Sequence, residues 1–264
     1  MYLPEMNRVL EPRGRSLRDP QFLRATVRRV TRVVPGMCRV TLAGRVLADL
    51  PAAPPAAKVR LFLPSDPAMP PDFPEWTPRG LLWAPGSRTA MRSYTVRRHD
   101  RITAEMDVDM LLHHDGPGAS WAAGARPGSP VGLLRPESGY RRLPGTALHL
   151  LVGDETALPA LGAILDALPA AAGRLVVVET ADRGYRDYLR GRPVRWLDRG
   201  RDRPGEALIR YVLRLALPAG RVQAFVAAEA TATRILREHL RLYGLGTADG
   251  TLNAKGYWQF TGGA

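Results

Sequence analysis

The chain is short of cysteine, lysine and long apolar runs, and each shortage narrows what it can be. Cys38 is the only cysteine, which excludes an internal disulfide framework and any cysteine-held zinc or iron–sulfur centre. It stands in the run CRVTL, so it is expected as a small buried strand residue rather than a reactive thiol. No stretch approaches the ~20 consecutive apolar residues needed to span a bilayer. The opening MYLPEMNRVLEPRGRSLRDP is charged throughout and has no apolar core, so residues 1–20 read as a flexible arm and not as a secretory leader. A soluble, cytoplasmic protein without membrane insertion is the expectation.

Lysine is confined to Lys58 and Lys255, so arginine supplies nearly all of the 38 basic residues set against 25 acidic ones, a formal charge of +13. The arginines are scattered, with pairs at Arg28–Arg29, Arg97–Arg98 and Arg141–Arg142. A nucleic-acid binder would show a basic stripe with interleaved aromatics or a known module, and neither is present. The surplus fits attraction of anionic small molecules, such as pyrophosphates or an acidic chelate.

The polar and apolar patterning changes grammar part-way along. ATVRRVTRVVPGMCRVTLAG alternates and reads as two strands around Pro35–Gly36. KVRLFLP is a further short strand, and the proline-rich residues 64–90 read as a long loop. Strands are expected at 91–98 and 102–113 with a turn at His99–Asp100, then a short helical piece after Gly116 and a strand at PVGLLRP. Short strands with turn chemistry between them indicate an antiparallel β-barrel. After Leu143-Pro144-Gly145 come continuous apolar strands alternating with helices: ALHLLVG, DETALPALGAILDALP, RLVVVET, RDYLRG, PVRWLDR, EALIRYVLRLAL, VQAFVAAE and ATATRILREHLRLYG. That alternation predicts a doubly wound α/β unit with a parallel sheet. The expected organisation is a barrel over 21–145 followed by a nucleotide-binding-type unit over 146–264.

Several segments carry chemistry. In an alternating strand Arg92 and Tyr94 face one way and Ser93 and Thr95 the other; a cationic fork beside an aromatic ring suits a ligand with both phosphate and a flat ring system. An edge strand with a solvated arginine would look the same. The stretch His113-His114-Asp115-Gly116-Pro117-Gly118, running into Ala119, Ser120 and Trp121, offers glycines and a helix start to a pyrophosphate. No metal site is expected there, because neighbouring histidines on a strand diverge and no carboxylate completes a ligand set. LLVGDETALPA lacks G-x-G-x-x-G but places Gly153, Asp154, Glu155 and Thr156 at a strand-to-helix turn, where open α/β sheets bind ligands and where the acids could equally be helix caps. Glu179 ends the second strand of this unit as either a ribose-binding acid or a solvated one; Arg183 nearby could favour a 2′-phosphate. Glu229 closes VQAFVAAE, and Tyr257 and Trp258 follow the last helix as packing anchors or as rings against a cofactor.

Taken in order, R-S-Y-T-V-R at 92–97, H-x-D-G-P-G-x-S-W-A at 113–122, G-D-E-T-A-L-P-A at 153–160, A-E-A-T-A-x-R at 228–234 and G-Y-W at 256–258 resemble the siderophore-interacting protein family, the NAD(P)H-linked ferric-siderophore reductases of the ferredoxin-reductase superfamily. The resemblance runs from about Phe22 to Trp258. It implies an FAD-binding antiparallel barrel, a C-terminal NAD(P)-binding-type domain, and electron transfer from NADH or NADPH through FAD to a ferric siderophore with release of Fe(II). By position, Arg92 would hold the FAD pyrophosphate, Tyr94 would flank the flavin and Thr95 would lie at its reactive edge. His113, Asp115 and the Gly116–Trp121 segment would embrace the phosphates. Gly153, Asp154, Glu155 and Thr156 would line a nicotinamide cleft opposite Glu229, with Tyr257 and Trp258 beside it. Two departures stand out: Ala228 occupies the place of a usual glycine, where its methyl could crowd a dinucleotide, and Gln259–Phe260 replace a usual basic residue and its neighbour. The alternatives are a ferredoxin as electron donor, an FAD enzyme of specialised metabolism, or a non-catalytic siderophore-binding protein. A monomer is expected.

Overall fold

The structure is a computed structural model that describes residues 22–78, 80–112 and 116–261; the arm read over 1–20 lies outside the described residues. Strand β1 (Leu23–Val34) turns at Pro35–Gly36 into β2 (Met37–Ala43), followed by a single helical turn α1 (Arg45–Asp49) and β3 (Lys58–Pro64). The proline-rich segment is not all loop: it carries a small hairpin, β4 (Glu75–Thr77) and β5 (Gly80–Leu82). Three-residue strands are too short to show a period, so the prolines dominated the reading. Then come β6 (Thr89–Asp100), β7 (Glu105–Leu111), helix α2 (Pro117–Gly124) and β8 (Pro130–Leu133). The β6–β7 turn lies after Asp100 and not at His99–Asp100. The Asp100 carboxylate accepts from the amides of Ile102 and Thr103, and Ala104 takes a left-handed φ of 54° to close the turn.

These strands close a barrel in the order β1-β2-β7-β6-β3-β8. Alternate residues fill it: Leu23, Ala25 and Val27 of β1 meet Val40 and Leu42 of β2, Val59 and Leu61 of β3, and Met106, Val108 and Met110 of β7. Trp121 of α2 belongs to the same core and is among the largest fully buried side chains. Cys38 is buried there too, and burial pushes its thiol up to about 11, in line with a packing role.

The second half is a parallel sheet. Strand β9 (Thr146–Asp154) leads through a 3₁₀ turn (Glu155–Ala157) into α3 (Leu158–Ala167); β10 (Arg174–Thr180), a 3₁₀ segment (Arg183–Leu189) and β11 (Val194–Asp198) follow. Helix α4 (Glu206–Val212), β12 (Arg221–Glu229), α5 (Ala230–Leu242) and β13 (Leu252–Trp258) complete it. The order is β11-β10-β9-β12-β13, so the winding reverses between β9 and β12, the switch point at which such sheets bind ligands. Two details differ from the sequence reading. Helix α4 stops at Val212, well short of the full EALIRYVLRLAL run. The segment LNAKGYW is a fifth strand, not a tail. It bonds to β12 alone, and an edge strand with one covered side shows no continuous apolar run.

The two halves share a core. Val34, Met37 and Ala56 of the barrel side join Tyr140, Leu151, Leu161, Val176 and Phe225 in one buried cluster, with Leu111 packed against it. At the seam Tyr188 donates its hydroxyl to Asp109, which Arg39 grips through two bonds at 2.7 and 2.8 Å. Arg97 pairs with Asp166 across the same boundary at 2.7 Å.

At the far side of the sheet Glu179 is fully buried. Its carboxylate accepts from Arg199 Nε and from the amides of Gly205, Ala207 and Leu208. The reading of Glu179 as a solvated acid is therefore overturned, and its oxygens are already committed to capping α4. Truncation to alanine would strand three amides and the Arg199 Nε, while Arg199 keeps Glu155 as its counter-ion. Glu179→Ala is expected to lower unfolding free energy by about 3 kcal/mol in urea titrations, from the buried donors left unsatisfied, with a much smaller loss for the exposed Glu238→Ala.

Candidate functional site

The segment Arg92–Thr95 lies in mid-β6, in register with Leu61 to Lys58 of β3. Thr95 and Val96 are both buried although adjacent, because Val96 faces the barrel core while Thr95 faces outward and is covered by the second half; a register shift follows between Val96 and Arg98. Tyr94 packs on the barrel core and reaches α2: a Cβ on Gly118 would lie 1.7 Å from the Tyr94 hydroxyl. Glycine at 118 is thus dictated by the tyrosine beneath it. Burial pushes the Tyr94 phenol up to about 12, so it stays a neutral ring. Arg92 donates to the Met91 carbonyl and makes no ion pair among the described residues, while Ser93 is exposed. Thr95 Oγ1 sits 3.4 Å from the Tyr257 hydroxyl, joining the barrel to β13.

Helix α2 begins at Gly116 with no side-chain cap and has proline in its first turn. Its first intrahelical bond runs from Ser120 N to Gly116 O, which leaves the Gly118 and Ala119 amides without an intrahelical acceptor. Ala119 and Trp121 are buried, Ser120 is exposed, and the Trp121 indole N–H has no partner. An arginine without counter-ion, an uncapped helix start, a glycine admitting close approach and a buried ring make a set that fits a dinucleotide with a flat ring system. His113 and Asp115 lie outside the described residues. No group of three potential metal ligands occurs among the described residues.

The carboxyl ends of β9, β12 and β13 meet at Asp154. Its Oδ1 accepts from the Thr156 amide at 2.9 Å and from the Thr156 hydroxyl. Oδ2 accepts from the Glu229 amide at 3.0 Å and from Trp258 Nε1 at 2.8 Å. Glu229 in turn caps α5 through the amides of Thr231 and Ala232 and accepts from Phe260 N at 3.3 Å. Glu155 is held by Arg199 at 2.8 Å, the same guanidinium that binds Glu179. Gly153 is required by packing, since a Cβ would lie 2.5 Å from Ala157 Cβ and 2.8 Å from the Ala227 carbonyl. Ala228 is wholly buried in the core with Leu208 and Leu236, so its methyl points into packing and away from any ligand. Gly153, Asp154, Glu155, Thr156, Glu229, Tyr257 and Trp258 therefore do converge on the switch point, but the acids are satisfied by structural partners. Arg199, which holds Glu155 and Glu179 together, was not singled out in the sequence; one more arginine in an arginine-rich chain carried no signal.

Residues 26–140 match the siderophore-interacting FAD-binding domain, and residues 146–261 match the siderophore-interacting protein model. The chain belongs to the siderophore-interacting protein family. It is an FAD-dependent oxidoreductase built as a barrel and a parallel α/β unit. Among curated relatives, the ferric vibriobactin reductase ViuB of Vibrio cholerae is 29% identical over 211 residues, 78% of each chain. The NADPH-dependent ferric-chelate reductase of Escherichia coli is 29% identical over 187 residues, 68% of this chain and 72% of that one. Among solved structures, a siderophore utilization protein from T. fusca aligns with a TM-score of 0.77 and 30% identity over 92% of this chain and 94% of the other. No helix of the described residues is long and apolar enough to cross a membrane.

Burial, with Glu155 alongside, pushes the Asp154 carboxyl from 3.8 up to about 6. The folded state then binds this proton more tightly than the unfolded chain. The contribution is most favourable below pH ~4, declines as pH rises to about 6, and stays constant above; the gap corresponds to about 3 kcal/mol. The unfolding free energy of the wild type minus that of Asp154→Ala is expected to fall between pH 4 and 6. A difference that is flat or rises over this range contradicts the assignment.

Proposed function

We propose that the chain passes electrons from NADH or NADPH through FAD to a ferric siderophore, releasing iron as Fe(II). The observation that carries this reading is the Thr95–Tyr257 contact. It sets the Thr95 face of β6 against the carboxyl edge of the parallel sheet, so a ring bound along this strand would be adjacent to a cleft on the other side. FAD, when bound, supplies the conversion of a hydride into single-electron steps that iron can accept. Arg92 and the Gly118 and Ala119 amides would neutralise and seat the diphosphate, with His113, Asp115, Gly116 and Ser120 completing that loop by family position. Tyr94 would wall the site with apolar surface, and Trp121 backs it from within the barrel core. Ser93 and Thr95 would offer hydroxyls to the flavin, and the Thr95 hydroxyl shares a hydrogen bond with Tyr257. None of these residues needs to act as a general acid or base.

The acceptor's charge has a counterpart near the seam. The only two lysines, Lys58 of β3 and Lys255 of β13, come together: Lys58 pairs with Glu137 at 2.8 Å beside Arg60, and burial together with Lys58 lowers the Lys255 pKa. Three cations facing one carboxylate suit an anionic chelate, and Fe(II) leaves because it binds hard oxygen donors less strongly than Fe(III).

A second reading keeps FAD and the ferric chelate but takes a ferredoxin as donor. It is favoured by the tail: Trp258 and Phe260 are bonded to Asp154 and Glu229 across the switch point, where a nicotinamide would otherwise lie.

Purified protein is expected to show a flavin spectrum, to bleach anaerobically with NADH or NADPH, and to recover its colour on addition of a ferric siderophore. Bleaching by reduced ferredoxin alone selects the second reading, and protein that takes up no FAD overturns both. Removing a charged hydrogen-bonding group in Arg92→Ala is expected to weaken FAD binding by about 10- to 100-fold, measured by fluorescence titration of apoprotein.

A further inference from the structure

The carboxyl edge of the sheet has a direction. Tyr257 touches the barrel at the β13 end, whereas β11 closes the opposite end. Four strand spacings of about 4.8 Å separate them, about 19 Å, a distance an extended dinucleotide covers. With its reactive ring near the seam, its adenosine half falls over β10 and β11. In such sheets a carboxylate at the end of the second strand usually takes the ribose 2′-hydroxyl, and its replacement by arginine admits a 2′-phosphate.

Here the carboxylate is present but unavailable. Glu179 is fully buried, and both its oxygens are occupied by Arg199 and the amides of α4. Exposed arginines outnumber exposed acids at this edge. Thr180 pairs with Asp198, and Arg199 N donates to the Thr180 carbonyl at 3.0 Å, so the loops after β10 and β11 run side by side. The first carries Arg183, whose side chain is 78% exposed and whose partner Asp198 is shared with Arg186. The second carries Arg201 and Arg203, both exposed and without an ion pair among the described residues. The acids nearby are engaged: Asp182 accepts from the Gly184 amide, Asp198 holds the two arginines, and Asp202 binds Arg210.

We propose that Arg183, Arg201 and Arg203 form a phosphate subsite that takes the 2′-phosphate of NADPH, and that this subsite makes the chain select NADPH over NADH. The proposal rests on the nicotinamide-linked reading above and adds its specificity. Two guanidiniums without counter-ions and a third sharing its own supply the fork geometry a phosphate dianion prefers, while the buried Glu179 offers nothing to the hydroxyl of NADH.

The test uses FAD-loaded protein and two probes that carry no hydride, 2′,5′-ADP and 5′-AMP, with binding measured by calorimetry. The wild type is expected to bind 2′,5′-ADP at least tenfold more tightly than 5′-AMP. Arg201→Ser with Arg203→Ser should remove most of that preference and lower the NADPH-to-NADH ratio of kcat/KM at least tenfold, with an unchanged flavin spectrum reporting intact folding. Equal binding of the two probes by the wild type, or an undiminished preference in the double variant or in Arg183→Ser, overturns the subsite. If neither nicotinamide bleaches the flavin while 2′,5′-ADP is still preferred, the subsite stands and the electron path fails.

Discussion

The Asp154 carboxylate joins the ends of three parallel strands, and the geometry of the switch point depends on it. Carrying a carboxyl group into a site with 1% exposure is costly unless donors replace water. The Thr156 amide and hydroxyl, the Glu229 amide and the Trp258 indole do so. Each donor comes from a different local constraint. Thr156 starts the turn into α3, Glu229 ends β12, and Trp258 ends β13, so one side chain fixes where a helix begins and how two strands align. The like charge of Glu155 next door is offset by Arg199, which also anchors Glu179. The carboxyl edge is therefore a connected polar network whose members cannot be exchanged singly.

The barrel and the sheet are likewise coupled by packing. Val34 and Met37 lie at the β1–β2 turn, yet they bury themselves with Leu151 and Phe225 of the sheet and Leu161 of α3. Tyr188 and Arg39 converge on Asp109 from opposite sides of the boundary. A small tyrosine-to-threonine contact at Tyr257 is thus backed by an apolar core, the Tyr188–Asp109 hydrogen bond and the Arg97–Asp166 ion pair, and this holds strand β6 at a set distance from the sheet edge.

Much of this was legible in the sequence because the periods were clean. The alternation in ATVRRVTRVV and the continuous run RLVVVET named their strands, and the turn residues Pro35–Gly36 fixed the first hairpin. The segments at 92–95 and 116–121 stood out for their glycine, arginine and aromatic residues, and the fold brings Tyr94 against Gly118. What was not legible is where polar side chains spend their bonds. Glu179 reads as an acid at a strand end, but only the fold brings Arg199 and the α4 amides to it. Ala228 reads as an obstacle to a ligand, but its side of β12 is the core. Strand β13 was hidden because an edge strand ending in Gly-Tyr-Trp has neither alternation nor an apolar run.

The energetics rank the ways a ligand could reach the switch point. Opening the seam would expose Val34, Met37 and the residues packed on them, each worth about 1.5–3 kcal/mol, and would leave Asp109 without Tyr188. Displacing the tail breaks two hydrogen bonds, Trp258 to Asp154 and Phe260 to Glu229, each costing about 1–3 kcal/mol if unreplaced. Beyond Trp258 the segment 259–261 is exposed, so little apolar surface is uncovered when it moves, and a ligand amide could take over the vacated carboxylate oxygens. The smaller displacement is the tail, and the same two carboxylates that close the cleft are the groups an entering dinucleotide would meet first.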